Sequence, residues 1–229
     1  HRLQLAETLR RGIAAGEMEL WYQPQIDASS GELCGLEALV RWRHAQEGVL
    51  SPVAFLPAAR RGGLMGLLSD EVGEIAVRDL HRWREAGLDV RVSLNCAQPE
   101  LLSGVFLPRL YEHMKKANVP GDRFVLEVTE DSFLAEPERA RSILHEVQQH
   151  GLQVSIDDYG TGFSSLAYLR DLPVHELKID RSFINAISFD PRSRMIVAST
   201  IQMAHGLELR VVAEGVEDAE TAADLVAMG

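Results

Sequence analysis

The sequence predicts a single α/β domain in which mostly parallel strands close toward a barrel and the first strand runs antiparallel. From residue 33 onward, short apolar runs that suit strands alternate with longer segments of helical spacing. That alternation is typical of βαβ units and a parallel sheet. The first two apolar runs are joined only by residues 27–31, with the turn sequence DASSG. A parallel crossover needs about a dozen residues or more, so this short link predicts an antiparallel hairpin.

The elements follow in order along the chain. Residues 2–16 have helical spacing and end on Gly16, a residue that suits a helix C-cap. The predicted strands cover 18–26, 33–42, 90–96, 123–129, 152–157, 174–180 and 208–214. Further helices are predicted at 53–61, 66–86, 100–117, 136–150, 164–171, 192–206 and 219–228. The chain stops where an eighth strand would follow, so the predicted fold is a modified TIM (β/α)8 barrel that lacks its last strand here.

The composition of the chain limits the kinds of molecule that it is expected to bind. The chain has 229 residues, 46% of them hydrophobic, and a formal net charge of −11. That charge argues against a DNA-binding surface, and no apolar run approaches the ~20 residues of a membrane span, so no membrane contact is expected. Cys34 and Cys96 match no metal or redox spacing, which favours a reduced, cytoplasmic setting, although a parent protein could be membrane-anchored. Because the chain begins with His1, we expect a fragment of a larger multidomain protein.

Seven polar residues stand at or beside the far ends of six separate apolar runs, and Glu37 lies mid-strand within its run. They are Glu37, Asn95, Glu127, Asp157, Asp158, Lys178 and Glu214. In a barrel of parallel strands these ends meet at one mouth. The resulting cluster of carboxylates is costly unless a cation neutralises it. All its candidate ligands are oxygen donors, which favours Mg²⁺ or Mn²⁺ over Zn²⁺.

The Asp157–Asp158 pair is the sharpest local signal, and it has two readings. Neighbouring strand residues face opposite sides of a sheet, so both can serve one site only if the strand breaks. The next residues, 159–162, have the sequence YGTG, and its glycines permit such a break. The alternative is an Asx-type turn or a helix cap made by the same residues.

The other strand-end residues also leave alternatives open. Glu37 could form a plain buried salt bridge instead of binding a metal. Asn95 and Glu214 could cap the segments that follow them, and Lys178 could pair with Asp157 or Asp180. Glu127 and Glu130 do not share a strand face, so one could bind metal while the other anchors a neighbouring loop.

Arg41 lies on the same predicted strand face as Glu37, roughly 13 Å further along. That spacing would put a ligand carboxylate deep in the mouth and a phosphate-binding guanidinium at its rim. The three tryptophans are expected to pack in the core or at the rim. Trp42, beside Arg41, could border a base-binding surface.

Eight segments in this order make the sequence resemble the EAL-domain family of cyclic di-GMP phosphodiesterases, from the first helix to Glu217. The name motif is Glu37-Ala38-Leu39, within EALVRW. The others are YQPQ (22–25), SPVAFLP (51–57), SLN (93–95), LEVTE (126–130), DDYGTGFSSL (157–166), LKID (177–180) and VVAEGVE (211–217). A lone EAL tripeptide would mean little, but the ordered set is specific. The family fold has an antiparallel first strand, in agreement with the predicted hairpin.

The resemblance implies a two-metal site and a role for each matching residue. The metal ligands would be Glu37, Asn95, Glu127, Asp157 and Asp158, with Asp157 shared between two Mg²⁺ or Mn²⁺ ions and Glu214 less directly involved. Lys178, Glu214 and Glu37 would be catalytic, Lys178 by orienting the attacking water. Substrate would be held at Gln23, Arg41, Leu39, Asp180 and Glu217. A loop over 159–166, which the family couples to homodimer formation, would be anchored through Glu130, Gly160 and Thr161.

Three functions are compatible with these features. The first is hydrolysis of cyclic di-GMP to linear pGpG, in a protein with fused sensory or GGDEF-type domains. The second is a receptor that binds the same dinucleotide without turnover, and the missing last strand would favour it. An unrelated metal-dependent barrel enzyme would explain the oxygen ligands but not the ordered motifs. The complete ligand set favours the hydrolase.

Overall fold

The computed structural model describes residues 2–133, 136–160 and 166–229. Its strands are β1 (Met18–Ile26), β2 (Leu33–His44), β3 (Gly48–Leu50), β4 (Val92–Asn95), β5 (Phe124–Thr129), β6 (Gln153–Tyr159), β7 (Glu176–Ile179) and β8 (Arg210–Ala213). Its helices are α1 (Arg2–Ala14), α2 (Pro52–Arg61), α3 (Met65–Glu85), α4 (Gln98–Leu102), α5 (Phe106–Ala117), α6 (Pro137–Gln149), α7 (Leu166–Asp171), α8 (Arg181–Ile184), α9 (Pro191–Gly206) and α10 (Ala219–Ala227).

The strands form one mixed sheet in the order β1-β2-β4-β5-β6-β7-β8, with β3 paired to β2 at the side. β1 is antiparallel to β2, as the short turn predicts, and every pairing from β2–β4 to β7–β8 is parallel. Within the described ranges, no pairing joins β8 back to β1. The architecture is a mixed α/β half-barrel, a variant of the TIM barrel with an antiparallel first strand.

The two faces of the strands have different environments. On β2, Ala38 and Trp42 are buried on the outer face, where the Trp42 ring packs edge-on against Phe55 of α2 with 6.0 Å between centroids. On β7, Leu177 and Ile179 are almost fully buried in the apolar core. Because side chains alternate along a strand, the residues between these positions point to the inner face. That inner face supplies the site.

The structure differs from the expected elements in three places. The helix predicted over 100–117 is divided into α4 and α5, because Gly104 has a φ of +68° that an α-helix cannot contain. The three-residue strand β3 and the four-residue helix α8 were not predicted, since neither is long enough to show a hydrophobic period. β3 pairs with β2, and α8 follows β7.

The break in β6 lies one residue earlier than expected. Asp158 itself has a φ of +53°, and the pairing with β7 is irregular between Ile156 and Tyr159. The glycines expected to supply the break are therefore not its first residue, although Gly160, with a φ of +96°, does follow the end of the strand directly. Aspartate tolerates the left-handed region better than most residues because its side chain is short and polar. This turn of the backbone lets both adjacent carboxylates serve one side of the sheet.

A polar cluster closes the opposite end of the sheet, where the parallel strands begin. Arg210 donates to Gln153 Oε1 at 2.6 Å and pairs with Glu176 at 3.3 Å. The backbone N–H of Val154 donates to His175 Nδ1 at 3.2 Å. Burial, together with the nearby Arg210 guanidinium, lowers the pKa of His175 below its ordinary value. The folded state therefore favours the neutral imidazole.

This histidine is expected to make stability depend on pH. With its pKa lowered by folding, neutral His175 contributes fully above its ordinary pKa of 6.5, and that stability is lost as the pH falls through the lowered value. The His175→Asn variant keeps an acceptor for Val154 but does not titrate. Its melting temperature is expected to fall less steeply than that of the wild type between pH 7 and 5. Parallel slopes in the two proteins would contradict this account.

In the part of the chain that the structure describes, no helix combines the length and the apolar content that crossing a membrane requires.

Candidate active site

Lys178 lies at the centre of the inner face, among four carboxylates. Its side chain is 1% exposed. Its Nζ lies 2.7 Å from an oxygen of Glu214, 2.9 Å from Glu127, 3.2 Å from Glu37 and 3.3 Å from Asp157. One buried ammonium is therefore shared by carboxylates that lie on, or directly after, four different strands. This arrangement is available only because parallel strands end at the same mouth.

Each carboxylate is positioned by its strand. Glu127 lies near the end of β5 and pairs in register with Asn95 at the end of β4. The Asn95 side-chain nitrogen donates to Glu37 Oε1 at 3.1 Å. Glu214 directly follows β8, and its backbone N–H donates to the carbonyl oxygen of Ile179 at 3.1 Å. Backbone pairing thus brings Asn95 and Glu127 side by side, while Glu37 pairs with Ser93 and joins them through its hydrogen bond with Asn95.

A second group of carboxylates adjoins the first and shares Asp157 with it. Asp157, Asp158 and Glu214 each place a carboxylate oxygen within 4.8 Å of the others. Asp158 also interacts with Asp180, whose side chain caps α8 by accepting from the backbone N–H of Ser182 at 2.9 Å. The left-handed backbone at Asp158 is what turns its carboxylate toward Asp157 and Glu214.

The electrostatics follow from burial and from like charges. Burial raises the pKa of Glu127, and the carboxylates of Glu37 and Asp157 add to that rise while Lys178 opposes it. Burial and the charge of Asp157 raise the pKa of Asp158 in the same direction. For Lys178 burial acts to lower the pKa, but the surrounding carboxylates outweigh it and the pKa is raised. The cluster therefore holds more negative charge than one ammonium balances.

The residues fit a hard divalent cation. Glu127 Oε1 is buried and has no hydrogen-bond partner among the described residues. A buried carboxylate oxygen without a partner is costly and is a ready ligand atom. The side-chain atoms of this cluster that could bind a metal ion are oxygens. Its nitrogen atoms belong to Lys178 and Asn95. Oxygen donors of this kind suit Mg²⁺ or Mn²⁺.

Three residues expected to hold substrate lie on the wall beside the cluster. Gln23 is exposed and pairs with Glu37, while Leu39 is half-buried two positions further along β2. Arg41 follows after another two positions, and its Nη1 donates to the carbonyl oxygen of Val40 at 2.9 Å. Arg41 forms no ion pair with any residue that the structure describes. Its charge is therefore available to a ligand.

The two remaining residues that were expected to hold substrate, Asp180 and Glu217, form no described ion pair with Lys178. Asp180 is engaged in capping α8 and in its contact with Asp158, so it lies beside the second carboxylate group. Glu217 is exposed, three residues beyond Glu214. Neither contacts Lys178 among its described ion pairs.

The predicted loop anchor is described in part. Glu130 Oε1 accepts a hydrogen bond of 3.0 Å from the backbone N–H of Gly160, the residue that follows β6. Glu130 is 8% exposed, and its other carboxylate oxygen is buried without a described partner. Thr161 lies outside the described residues. Glu130 and Glu127 therefore have separate roles, since Glu130 holds backbone while Glu127 enters the cluster.

The tryptophans correct one expectation. Trp42 is 0% exposed and its Nε1 donates to Glu17 at 2.9 Å, so the idea that it borders a base-binding surface was wrong. Trp21 is 53% exposed and lies on the same wall as Arg41. The sequence contained the signal, because an antiparallel hairpin places Trp21 opposite Leu39, on the face that carries Glu37.

A family model and the sequences of known proteins point to the same family for this chain. A family model described as the EAL domain matches residues 6–229. The chain is 41% identical over 216 residues to the cyclic di-GMP phosphodiesterase NbdA of Pseudomonas aeruginosa, covering 94% of this chain and 28% of that protein. It is 35% identical to the bifunctional diguanylate cyclase/cyclic di-GMP phosphodiesterase MucR of the same organism, covering 94% of this chain and 32% of MucR. The chain thus spans about a third or less of these relatives.

Solved structures agree with the fold. The MucR phosphodiesterase in complex with c-di-GMP superimposes with a TM-score of 0.93 at 34% identity, covering 99% of this chain and 92% of that one. The EAL domain of Xanthomonas citri FimX, also in complex with c-diGMP, gives a TM-score of 0.91 at 22% identity. At that identity the FimX likeness shows the fold alone.

Proposed function

This chain belongs to the EAL domain family, and on that premise we propose that it hydrolyses cyclic di-GMP to linear pGpG. The observation that carries the proposal is the set of five carboxylates gathered around one buried lysine at the barrel mouth. Relatives that are 34–41% identical to it over the aligned residues are named as cyclic di-GMP phosphodiesterases, and the MucR phosphodiesterase was solved in complex with c-di-GMP. A receptor that only binds the dinucleotide would not need this concentration of buried charge.

The residues divide into two candidate metal positions. Glu37, Asn95, Glu127 and Asp157 would hold one Mg²⁺ or Mn²⁺ ion, and Asp157, Asp158 and Glu214 a second. When bound, two such ions supply an activated water and offset the charge that develops on the phosphate. The orphaned Glu127 oxygen and the grouped oxygens of Asp157, Asp158 and Glu214 support this division.

The chain's own residues then position the reaction. Lys178 would hold and orient the attacking water by donating a hydrogen bond, and Glu214, 2.7 Å away, keeps that ammonium charged. Arg41 and the backbone at Gln23 would hold the scissile phosphate. The water oxygen bonds to phosphorus, the bond from phosphorus to the 3′ oxygen breaks, and the 3′ oxygen leaves as a hydroxyl. The product is the linear dinucleotide with a 5′ phosphate.

Several partner assignments belong to the same proposal. The name of MucR includes a diguanylate cyclase, which supports fused GGDEF-type or sensory domains in the parent of this chain. A homodimer is proposed as well, and the exposed apolar side chains of Phe189, Met195 and Ile196 are available for one. Cytoplasmic placement and the lack of DNA or membrane contact remain predictions from composition.

The experiment is incubation of the purified chain with cyclic di-GMP and either Mg²⁺ or Mn²⁺, with nucleotide products separated by chromatography. We expect pGpG to accumulate with metal and to be absent in excess chelator. Measurable binding of cyclic di-GMP without any pGpG, both in this chain and in its parent protein, would replace the hydrolase with the receptor.

A further inference from the structure

The hairpin of β1 and β2 continues the wall of the site beyond the carboxylates. Three directly opposed pairs occur at alternate positions along it: Gln23–Glu37, Trp21–Leu39 and Glu19–Arg41. Opposed residues of an antiparallel pair project from the same face. Since Glu37 reaches Lys178 at 3.2 Å, this face is the inner one. The Trp21–Leu39 pair therefore lies about 7 Å beyond the Glu37 position, on the way out of the mouth.

Trp21 is held in a defined orientation although it is 53% exposed. Its Nε1 donates to Glu19 Oε1 at 2.9 Å, and the guanidinium carbon of Arg41 lies 5.2 Å from its ring centroid. Glu19 is itself paired with Arg43, and that hydrogen bond lowers the pKa of Glu19. A fixed, exposed indole beside an arginine that forms no ion pair with the described residues is a preorganised surface for a flat ring that carries a phosphate.

We propose that Trp21 stacks on a guanine base of the bound dinucleotide while Arg41 contacts its phosphate. This inference rests on the proposed function and names one residue that gives it base recognition. Every purine offers a π face, and aromatic side chains bind bases through that face. Leu39, opposite Trp21, provides the apolar edge of the same subsite. A phosphodiester without a base would gain nothing from Trp21.

Kinetics of the Trp21→Ala variant test the proposal. On cyclic di-GMP we expect KM to rise about tenfold, the size expected for one base–aromatic stack, with kcat within about twofold of the wild type. On the abasic analogue of cyclic di-GMP, which keeps both riboses and both phosphodiesters but has no aromatic ring, kcat/KM should stay unchanged. Trp21→Phe, which keeps an aromatic face, should restore most of the KM. An equal loss on both substrates, or no change in KM, would overturn the proposal.

Fluorescence provides a readout that does not need turnover. Mixing with cyclic di-GMP in stopped flow should quench the wild type and the Trp83→Phe control, whose indole packs edge-on against Tyr22 at 4.6 Å. The quenching should be lost in Trp21→Phe. If no pGpG forms but this pattern appears, the hydrolase proposal fails while base stacking stands. If the wild type is not quenched, or Trp21→Phe is quenched equally, stacking on Trp21 is wrong whatever the turnover.

Discussion

Replacing Lys178 by methionine is expected to lower the free energy of unfolding of the metal-free protein by about 3–5 kcal/mol, the cost of breaking a buried ion pair. Methionine fills a similar volume, so the loss comes mainly from leaving four carboxylates, at 2.7–3.3 Å from the former ammonium, without their cation. Chemical denaturation in the presence of a chelator measures this loss in the free energy of unfolding. Adding Mg²⁺ or Mn²⁺ should reduce the deficit, because a bound cation neutralises the same charges.

The pH of that measurement is set by the direction of the pKa shift. Because the pKa of Lys178 is raised, its contribution is fully present below the ordinary value of 10.5 and is lost only as the pH rises through the raised value. A measurement near neutral pH therefore includes all of it. Lys116→Met is the matched control, since Lys116 forms an exposed pair with Glu112 at 2.8 Å and should change stability by less than about 0.5 kcal/mol. Equal effects at the two lysines would contradict the role given to Lys178.

Glu37→Ala is expected to lower kcat/KM for cyclic di-GMP by about 1,000-fold or more, because it removes a proposed metal ligand and a partner of both Lys178 and Asn95. The rate of pGpG formation measures turnover, and calorimetric titration with Mn²⁺ measures the accompanying loss of metal affinity. The metal-free variant should keep its melting temperature, since one carboxylate fewer reduces the repulsion around Lys178.

The control for that variant is Glu47→Ala, at an exposed position in the turn that follows the same strand. It should leave kcat/KM within about twofold of the wild type, as expected for a surface substitution away from the site. If Glu37→Ala retains wild-type turnover, the assignment of the site to this cluster is refuted. If the variant loses its fold as well, its turnover says nothing about metal, and Glu37→Gln, which keeps the side-chain volume, takes its place with the same expected loss.

Much of the fold could be predicted from local features. The five-residue turn after Ile26 predicted the antiparallel hairpin, and its first strand has the predicted bounds. What local features could not show was the backbone of Asp158, because a left-handed residue inside a strand depends on tertiary contacts. β3 and α8 were not predicted because each is too short to show a periodic pattern of apolar residues.

The candidate site, like the fold, could be predicted from the sequence only in part. The strand-end rule identified Glu37, Glu127 and Lys178 as neighbours, since parallel strands share one mouth. It could not show that a single ammonium would contact four carboxylates at once, because this depends on the curvature of the sheet. The importance of Trp21 was missed because it depends on cross-strand register, and a tryptophan in an apolar run otherwise suits the core.

The backbone of Asp158 has a consequence for how this domain can change over time. A φ of +53° is tolerated with little strain only by glycine, asparagine and aspartate, and of these only aspartate carries a charge. Aspartate codons are one nucleotide away from both asparagine and glycine codons. A single point mutation can therefore remove a carboxylate from the centre while leaving the chain well folded. The geometry that completes the site also provides a short genetic path from the proposed hydrolase to a protein that only binds.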